Sequence, residues 1–264
     1  MRTRFRQTLT MGIGVARTCV RLIAAISVFV VTAQLDASPG KIVVANDEWT
    51  LSDSGFTPPN DPGRFATNVA RWFTGGPPGS FLAYSDNYGL TGAQLAAAMT
   101  GAGNLWTVST AVPFDLATLA LYDGVFVGGY PADASVLTAY VEGGGNVYLF
   151  GGAGWLGSLP DSDGSVEAAA WNPFLNEFGL GLSVYNGIWQ DVPISNTHPI
   201  FEGVDSLNQG VGQSILDLEP ADPANQVLVI QGTDGLYAIY EIPEPAALSL
   251  LALGGLALVR RRRN

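Results

Sequence analysis

The chain has 264 residues, 47% of them hydrophobic, with 12 basic and 23 acidic side chains giving a formal net charge of −11. The charges are segregated: nine of the 12 Lys and Arg lie in the first 21 or last five residues, so the stretch from Gln34 to Pro245 keeps only Lys41, Arg64 and Arg71 against all 23 acids and carries −20. Such a surface excludes nucleic acid and anionic polymers as partners, suits divalent cations or basic partners, and serves solubility outside a cell; with Cys19 as the lone cysteine, lying before that stretch, disulfides and thiol chemistry are excluded from it.

At the N-terminus, Arg2, Arg4, Arg6, Arg17 and Arg21 precede the apolar run Leu22 to Val31, and Val31-Thr32-Ala33 offers small residues to signal peptidase. This predicts a secretory signal peptide over residues 1–33. The n-region is long, and a start at Met11 in place of Met1 gives a more ordinary one. Cys19 precedes the apolar run in a context unlike a lipobox, which argues against a lipoprotein.

The stretch 34–241 is long enough for one core and one domain. Lys41 to Ala45 reads as a first strand, and Arg64 to Phe73 as a helix with Asn60 or Asp61 near its start. Phe81 to Tyr84 reads as a second strand, Ala93 to Met99 as a helix capped by Thr91, and Leu105 to Val108 as another strand. The clearest unit runs from the strand Val125–Gly128 through the helix Ala134–Val141 and the turn Gly143-Gly144-Gly145 to the strand Val147–Phe150. Apolar strands without alternation, separated by helices, predict an α/β fold with a mostly parallel sheet and helices on both faces. In such sheets ligands bind beyond the carboxyl ends of the strands. Asp47 and Glu48 follow the first strand beside Trp49, and Asp86 follows the second beside Tyr88; they are candidate residues for holding a sugar or a cation, or for capping loops.

Residues Tyr122 to Gly154, together with the segment Thr197-His198-Pro199-Ile200-Phe201-Glu202-Gly203-Val204, resemble class I glutamine amidotransferase-like domains. The resemblance implies a single flavodoxin-like domain. In active members a cysteine nucleophile sits on a sharp strand-to-helix turn, backed by a histidine and a carboxylate. The corresponding turn here is Gly151-Gly152-Ala153-Gly154, so that chemistry has no nucleophile. Ser158 lies close by, but any triad would need His198, the one histidine of the chain, which reads as a turn residue before Pro199. No catalytic residues are assigned.

Asp161-Ser162-Asp163-Gly164 followed by Glu167 partly matches an oxygen-ligand loop for calcium, without full EF-hand spacing; Asp163 and Glu167 equally suit the N-terminal end of a helix from about Val166 to Phe178. Otherwise no cofactor is expected. Trp72, Trp106 and Trp171 fall in patterned elements and are assigned to the core. Strands are expected at Ser214–Leu218, Val227–Ile230 and Leu236–Tyr240, the last two joined by a hairpin around Thr233-Asp234-Gly235.

The tail is the most specific signal. Ile242-Pro243-Glu244-Pro245 is followed by a small and apolar run from Ala246 to Val259, then Arg260, Arg261, Arg262, Arg263 and Asn264. The prolines keep the approach to the run extended. Fourteen helical residues at about 1.5 Å each reach roughly 21 Å, short of about 30 Å of hydrocarbon. Snorkelling arginines and local thinning close the gap, and the positive-inside rule keeps the arginines cytoplasmic. This arrangement over residues 242–264 resembles the PEP-CTERM sorting signal, with Pro243, Glu244 and Pro245 as the processing motif and Arg260 to Arg263 as the membrane stop. The resemblance implies export through the inner membrane of a Gram-negative bacterium and a transiently anchored precursor with a transmembrane helix. Signal peptidase and an exosortase are the implied partners, and the cell surface or extracellular matrix the destination. For the passenger two readings stand: a non-catalytic binding or structural domain, with extracellular polysaccharide as a partner, or a carboxylate-dependent hydrolase or glycan-active enzyme. A calcium-binding surface protein is a third.

Overall fold

The computed structural model describes residues 39–242, so the leader expected at 1–33 and the apolar tail expected at 246–259 lie outside the described residues. Among the described residues no helix is long and apolar enough to cross a membrane. In chain order the elements are β1 (Ile42–Ala45), α1 (Pro62–Thr74), β2 (Ser80–Tyr84), α2 (Tyr88–Thr91), α3 (Ala93–Gly101), β3 (Leu105–Val108), α4 (Leu116–Leu119), β4 (Gly124–Val127), α5 (Ala134–Glu142) and β5 (Asn146–Phe150). A short ribbon of β6 (Trp155–Leu156) and β7 (Leu159–Pro160) leads to α6 (Ser165–Leu175). The remainder is β8 (Leu180–Tyr185), β9 (Trp189–Pro193), β10 (Ser206–Gly210), β11 (Gln213–Asp217), β12 (Asn225–Gln231) and β13 (Asp234–Tyr240).

The main sheet runs β3-β2-β4-β5-β1-β13-β11-β8, with β12 paired to β13. The first five strands of this order are parallel to one another. β1, β4 and β5 are buried along their whole length, which is why they read as unbroken apolar runs. α1 and α3 cover one face, where Phe65, Val69, Leu95 and Met99 join Val43, Phe81, Phe126 and Tyr148. α5 and α6 cover the other, packing Leu137, Val141, Trp171 and Phe174 on Val44, Leu82, Val125 and Leu149. The sheet is therefore α/β and largely parallel, as expected.

The strand order departs from the flavodoxin-like 2-1-3-4-5, in which the first strand lies between the second and third. Here β1 lies between β5 and the antiparallel β13. β8, β9 and β10 were not anticipated. Among the described residues β9 and β10 pair only with each other, and β8 extends the antiparallel side through β11.

Local chemistry accounts for the element ends. α1 begins with Pro62 at its first turn and stops at Gly75 in the left-handed region, φ 70°. α5 is capped by Asp133, whose carboxylate accepts the N–H groups of Ser135 and Val136. Thr91 does not cap α3: it closes α2, whose own cap is Asn87, and the α3 N–H of Gln94 is taken at 2.9 Å by the distant Asp53. The helix expected over 166–178 gives way after Leu175 to a 3-10 turn that ends on Gly179 in the left-handed region. The β12–β13 hairpin forms, but its turn residues are Gly232 and Thr233, because Gln231 pairs with Asp234. Gly232 takes φ 65°, as the first position of a type II′ turn requires.

Phe65 stacks on Phe201 at 5.5 Å and meets Tyr237 and Tyr148 edge-on, so it ties α1 to the sheet. Phe65→Ala is expected to cost about 3–5 kcal/mol in urea unfolding. Leu105→Ala, on the exposed edge strand, should stay within about 0.5 kcal/mol of wild type.

Candidate functional site

The carboxyl ends of β1, β2, β4 and β5 lie together, because those strands are parallel and in register. β1 delivers Asn46, Asp47, Glu48 and Trp49 there. Asp47 caps a 3-10 turn at Glu48–Leu51: one oxygen accepts the Trp49 N–H at 2.7 Å and the other the Gly210 N–H from β10. Glu48 accepts from the Tyr88 hydroxyl and, at 2.6 Å, from the Asn87 amide. Both carboxyls are nearly shut off from water, and burial pushes each up to about 7 against the opposing pull of these donors. Asp86, in the same loop as Tyr88, points to solvent instead. The sequence-based trio is thus split: Asp47 and Glu48 join one network, and Asp86 stays on its rim.

A further carboxylate belongs to this end of the sheet. Glu167, in the first turn of α6, is fully buried and accepts the Ala153 N–H at 2.9 Å. Burial raises it to about 8, with Asp161 and Glu48 adding to the rise. Its second oxygen and both polar atoms of the buried Asn46 have no partner. Asp161 is spent on the Gly164 and Glu167 N–H groups at 2.9 and 2.8 Å, and Asp163 on Ser165 N–H at 3.0 Å. Asp161, Asp163 and Glu167 therefore organise the start of a helix, and Glu167 turns inward, away from any loop cage. Among the described residues no three acidic, histidine or cysteine side chains assemble as a metal-holding group.

The turn Gly151–Gly154 is closed to nucleophilic chemistry in a second way besides lacking a thiol. Its N–H groups are already taken: Gly152 by Gln213, Ala153 by Glu167 and Gly154 by the Tyr185 hydroxyl, at 3.1, 2.9 and 3.0 Å. A Cβ on Gly152, at φ 77°, would sit 2.8 Å from the Gly212 Cα. His198 is far from this turn, at the start of β1, where it caps a 3-10 turn and meets Trp72 edge-on at 5.2 Å. It lies at the opposite pole from Ser158, on the β6–β7 ribbon.

Sequence reasoning also left three tryptophans unplaced. Trp72 and Trp171 are buried and Trp106 is half-buried, in line with the core assignment. Trp155 and Trp189 are exposed and Trp49 is half-buried, and all three lie beyond the carboxyl ends of the parallel strands. Trp189 on β9 meets Trp49 at 5.5 Å, and Trp49 meets Tyr88 at 6.2 Å. Gly210, paired with Trp189, leaves the space that the Trp49 ring fills. Next to it Val211 takes φ 72°, a conformation that costs a β-branched residue on the order of 1–3 kcal/mol. It is held between two N–H bonds, Gly210 to Asp47 and Gln213 to the Asn46 carbonyl.

The exit pole, at the amino end of β1, holds both ends of the domain. Ile42 pairs with Tyr240, and Lys41 forms an ion pair with Glu241 at 2.8 Å. The segment that leaves the fold there can be assigned. Residues 241–263 match the PEP-CTERM protein-sorting motif. The sorting motif implies an exported protein, a membrane-anchored precursor and processing by an exosortase. No curated protein and no solved structure matches the chain.

The buried carboxyls set a pH dependence. Between the ordinary carboxyl range and about 7–8, the native state keeps protons on Asp47, Glu48 and Glu167 that the unfolded chain has released. Stability therefore falls as pH rises through that window. The thermal midpoint is expected to be higher at pH 5 than at pH 8.5. Glu167→Gln keeps an acceptor for Ala153 and should flatten part of the decline, and an unchanged slope in calorimetry would count against a protonated Glu167.

Proposed function

We propose that the protein is exported across the inner membrane of a Gram-negative bacterium, with signal peptidase removing residues 1–33. Residues 246–259 then hold the precursor in the membrane with Arg260 to Arg263 on the cytoplasmic side. Exosortase cleavage near Pro243-Glu244-Pro245 passes the domain to the cell surface or extracellular matrix. There it acts as a non-catalytic binding module for extracellular polysaccharide, using the end of the sheet where Asp47, Glu48, Trp49, Tyr88 and Trp189 meet.

The observation that carries this reading is the separation of the poles. The chain leaves the fold beside Lys41 and Glu241, at the amino end of β1, whereas the aromatic and acidic residues lie past its carboxyl end. Only Pro243 to Pro245 separate Ile242 from the apolar run, a reach of about 10 Å. A domain tethered so closely at one pole offers the other to the outside. A glycan-active hydrolase is the second reading, favoured by three buried carboxyls raised into the range of acid–base chemistry. Release of reducing ends from matrix polysaccharide, abolished by Glu48→Gln, would select it.

Fractionation with mass spectrometry of the protein termini, in cells with and without the exosortase, tests the sorting. The expected result is loss of the arginine tail in wild type and an intact, membrane-bound tail in the mutant. An intact tail in both contradicts the processing. Trp189→Ala should move the processed protein from the matrix into the medium.

A further inference from the structure

We propose that the corner formed by Trp49, Tyr88 and Trp189 binds an ammonium-bearing ligand, specifically the amino groups of a glucosamine-type polymer. The inference rests on the binding function above and names the group that is recognised. Three observations carry it.

The first is ring geometry. Trp49 and Trp189 are inclined at 51°, and Trp49 and Tyr88 at 86°, with centroids 5.5 and 6.2 Å apart. Rings at such angles enclose a corner, whereas a flat sugar face is best met by rings lying in one plane. A compact cation placed against several aromatic faces is attracted by the quadrupole of each. Trp189 is 67% exposed and Tyr88 47%, so the corner is open to a ligand.

The second is charge. The Gln34 to Pro245 stretch carries −20 with three basic side chains, and Lys41 is already seated over Trp72 at the exit pole, 4.7 Å from the ring centre. Arg71 is paired with Glu202, and the Arg64 guanidinium lies beside Gly203, away from the corner. A cation for the corner therefore has to come from a partner, and the field of the domain draws it in.

The third is the wall behind the rings. The Tyr88 hydroxyl is bonded to the Glu48 carboxylate, so one ring of the corner is fixed directly to a carboxyl, and Asp86 stands exposed two residues before it. Glu48 is faced by Asp47 beside it, Asn87 and Tyr88 after β2, and the buried Glu167 carboxyl and the neutral Tyr185 phenol farther in. Tetramethylammonium, whose charge does not titrate, favours the ionised forms of Glu48 and Asp47, so its binding releases protons near neutrality and tightens as pH rises from 6 to 8. A neutral sugar would not show this dependence.

The test is isothermal titration of the full-length chain in detergent micelles with a glucosamine oligomer, its N-acetylated form, and tetramethylammonium as a minimal probe. The amine oligomer is expected to bind at least about tenfold more tightly than the acetylated one, and tetramethylammonium to compete. Trp189→Ala should weaken it by about tenfold, with unchanged circular dichroism because the ring is exposed. Trp155→Ala, at the same pole but outside the corner, should leave it unchanged, which separates the corner from general attraction to an acidic surface. Equal binding of the acetylated oligomer overturns the ammonium assignment and leaves glycan binding standing. Absence of binding by either oligomer overturns both, and an unaltered affinity in Trp189→Ala overturns the corner as the site.

Discussion

The pairing of the first strand with the last organises this molecule. β1 carries the chain from the entry pole to the opposite end of the sheet within four residues, and β13 returns it antiparallel to the pole where it began. The Lys41–Glu241 ion pair sits at that return. Being partly exposed, it adds little stability of its own; the backbone ladder and the buried Tyr237, Ala238 and Ile239 do most of the holding. Because β2, β4 and β5 share the direction of β1, their loops are committed to the far pole as well. The separation of the exit from the aromatic corner is thus a consequence of sheet topology.

The far pole keeps three carboxyls where burial opposes their ionisation. Fixed donors limit that penalty: two backbone N–H groups for Asp47, a phenol and an amide for Glu48, one N–H for Glu167. Such groups cost stability as pH rises through neutrality, and loops crossing from β10, β2 and β5 converge on them. The strained Val211 and the glycines at 152, 210 and 212 belong to the same crossing. A Cβ on Gly152 would meet Gly212 and one on Gly212 would meet Asn46, so neither position has room for a side chain. That closeness leaves position 152 without space for a side chain, and Gly210 leaves room for the Trp49 ring seated over it.

The parallel half of the sheet was legible because buried parallel strands are apolar on both faces; Ile42 to Ala45 and Val147 to Phe150 could be little else. The antiparallel half was less so. Among the described residues β9 pairs only with β10 and keeps a single buried side chain, Val192, so its pattern of Trp189, Gln190 and Asp191 carries no strand period. Asp47 and Glu48 were found from their position after β1. Glu167 was noticed as a helix-start residue, and its inward turn depends on Ala153, fourteen positions away, which no local pattern encodes. Trp189 joins Trp49 only through the β9–β10 arm folding back over Asp47. A surplus of tryptophan beyond the patterned core positions was the available signal.

The poles can be compared directly in the anchored precursor. Glu142, at the end of α5, is exposed at the exit pole, and Ser158, between β6 and β7, at the other. With the leader removed the chain has no cysteine, so single replacements of these residues by cysteine can carry a fluorophore in precursor reconstituted into vesicles with spin-labelled headgroups. The account predicts strong quenching at position 142 and weak quenching at position 158. Equal or reversed quenching would contradict a domain tethered at one pole and offering its aromatic corner at the other.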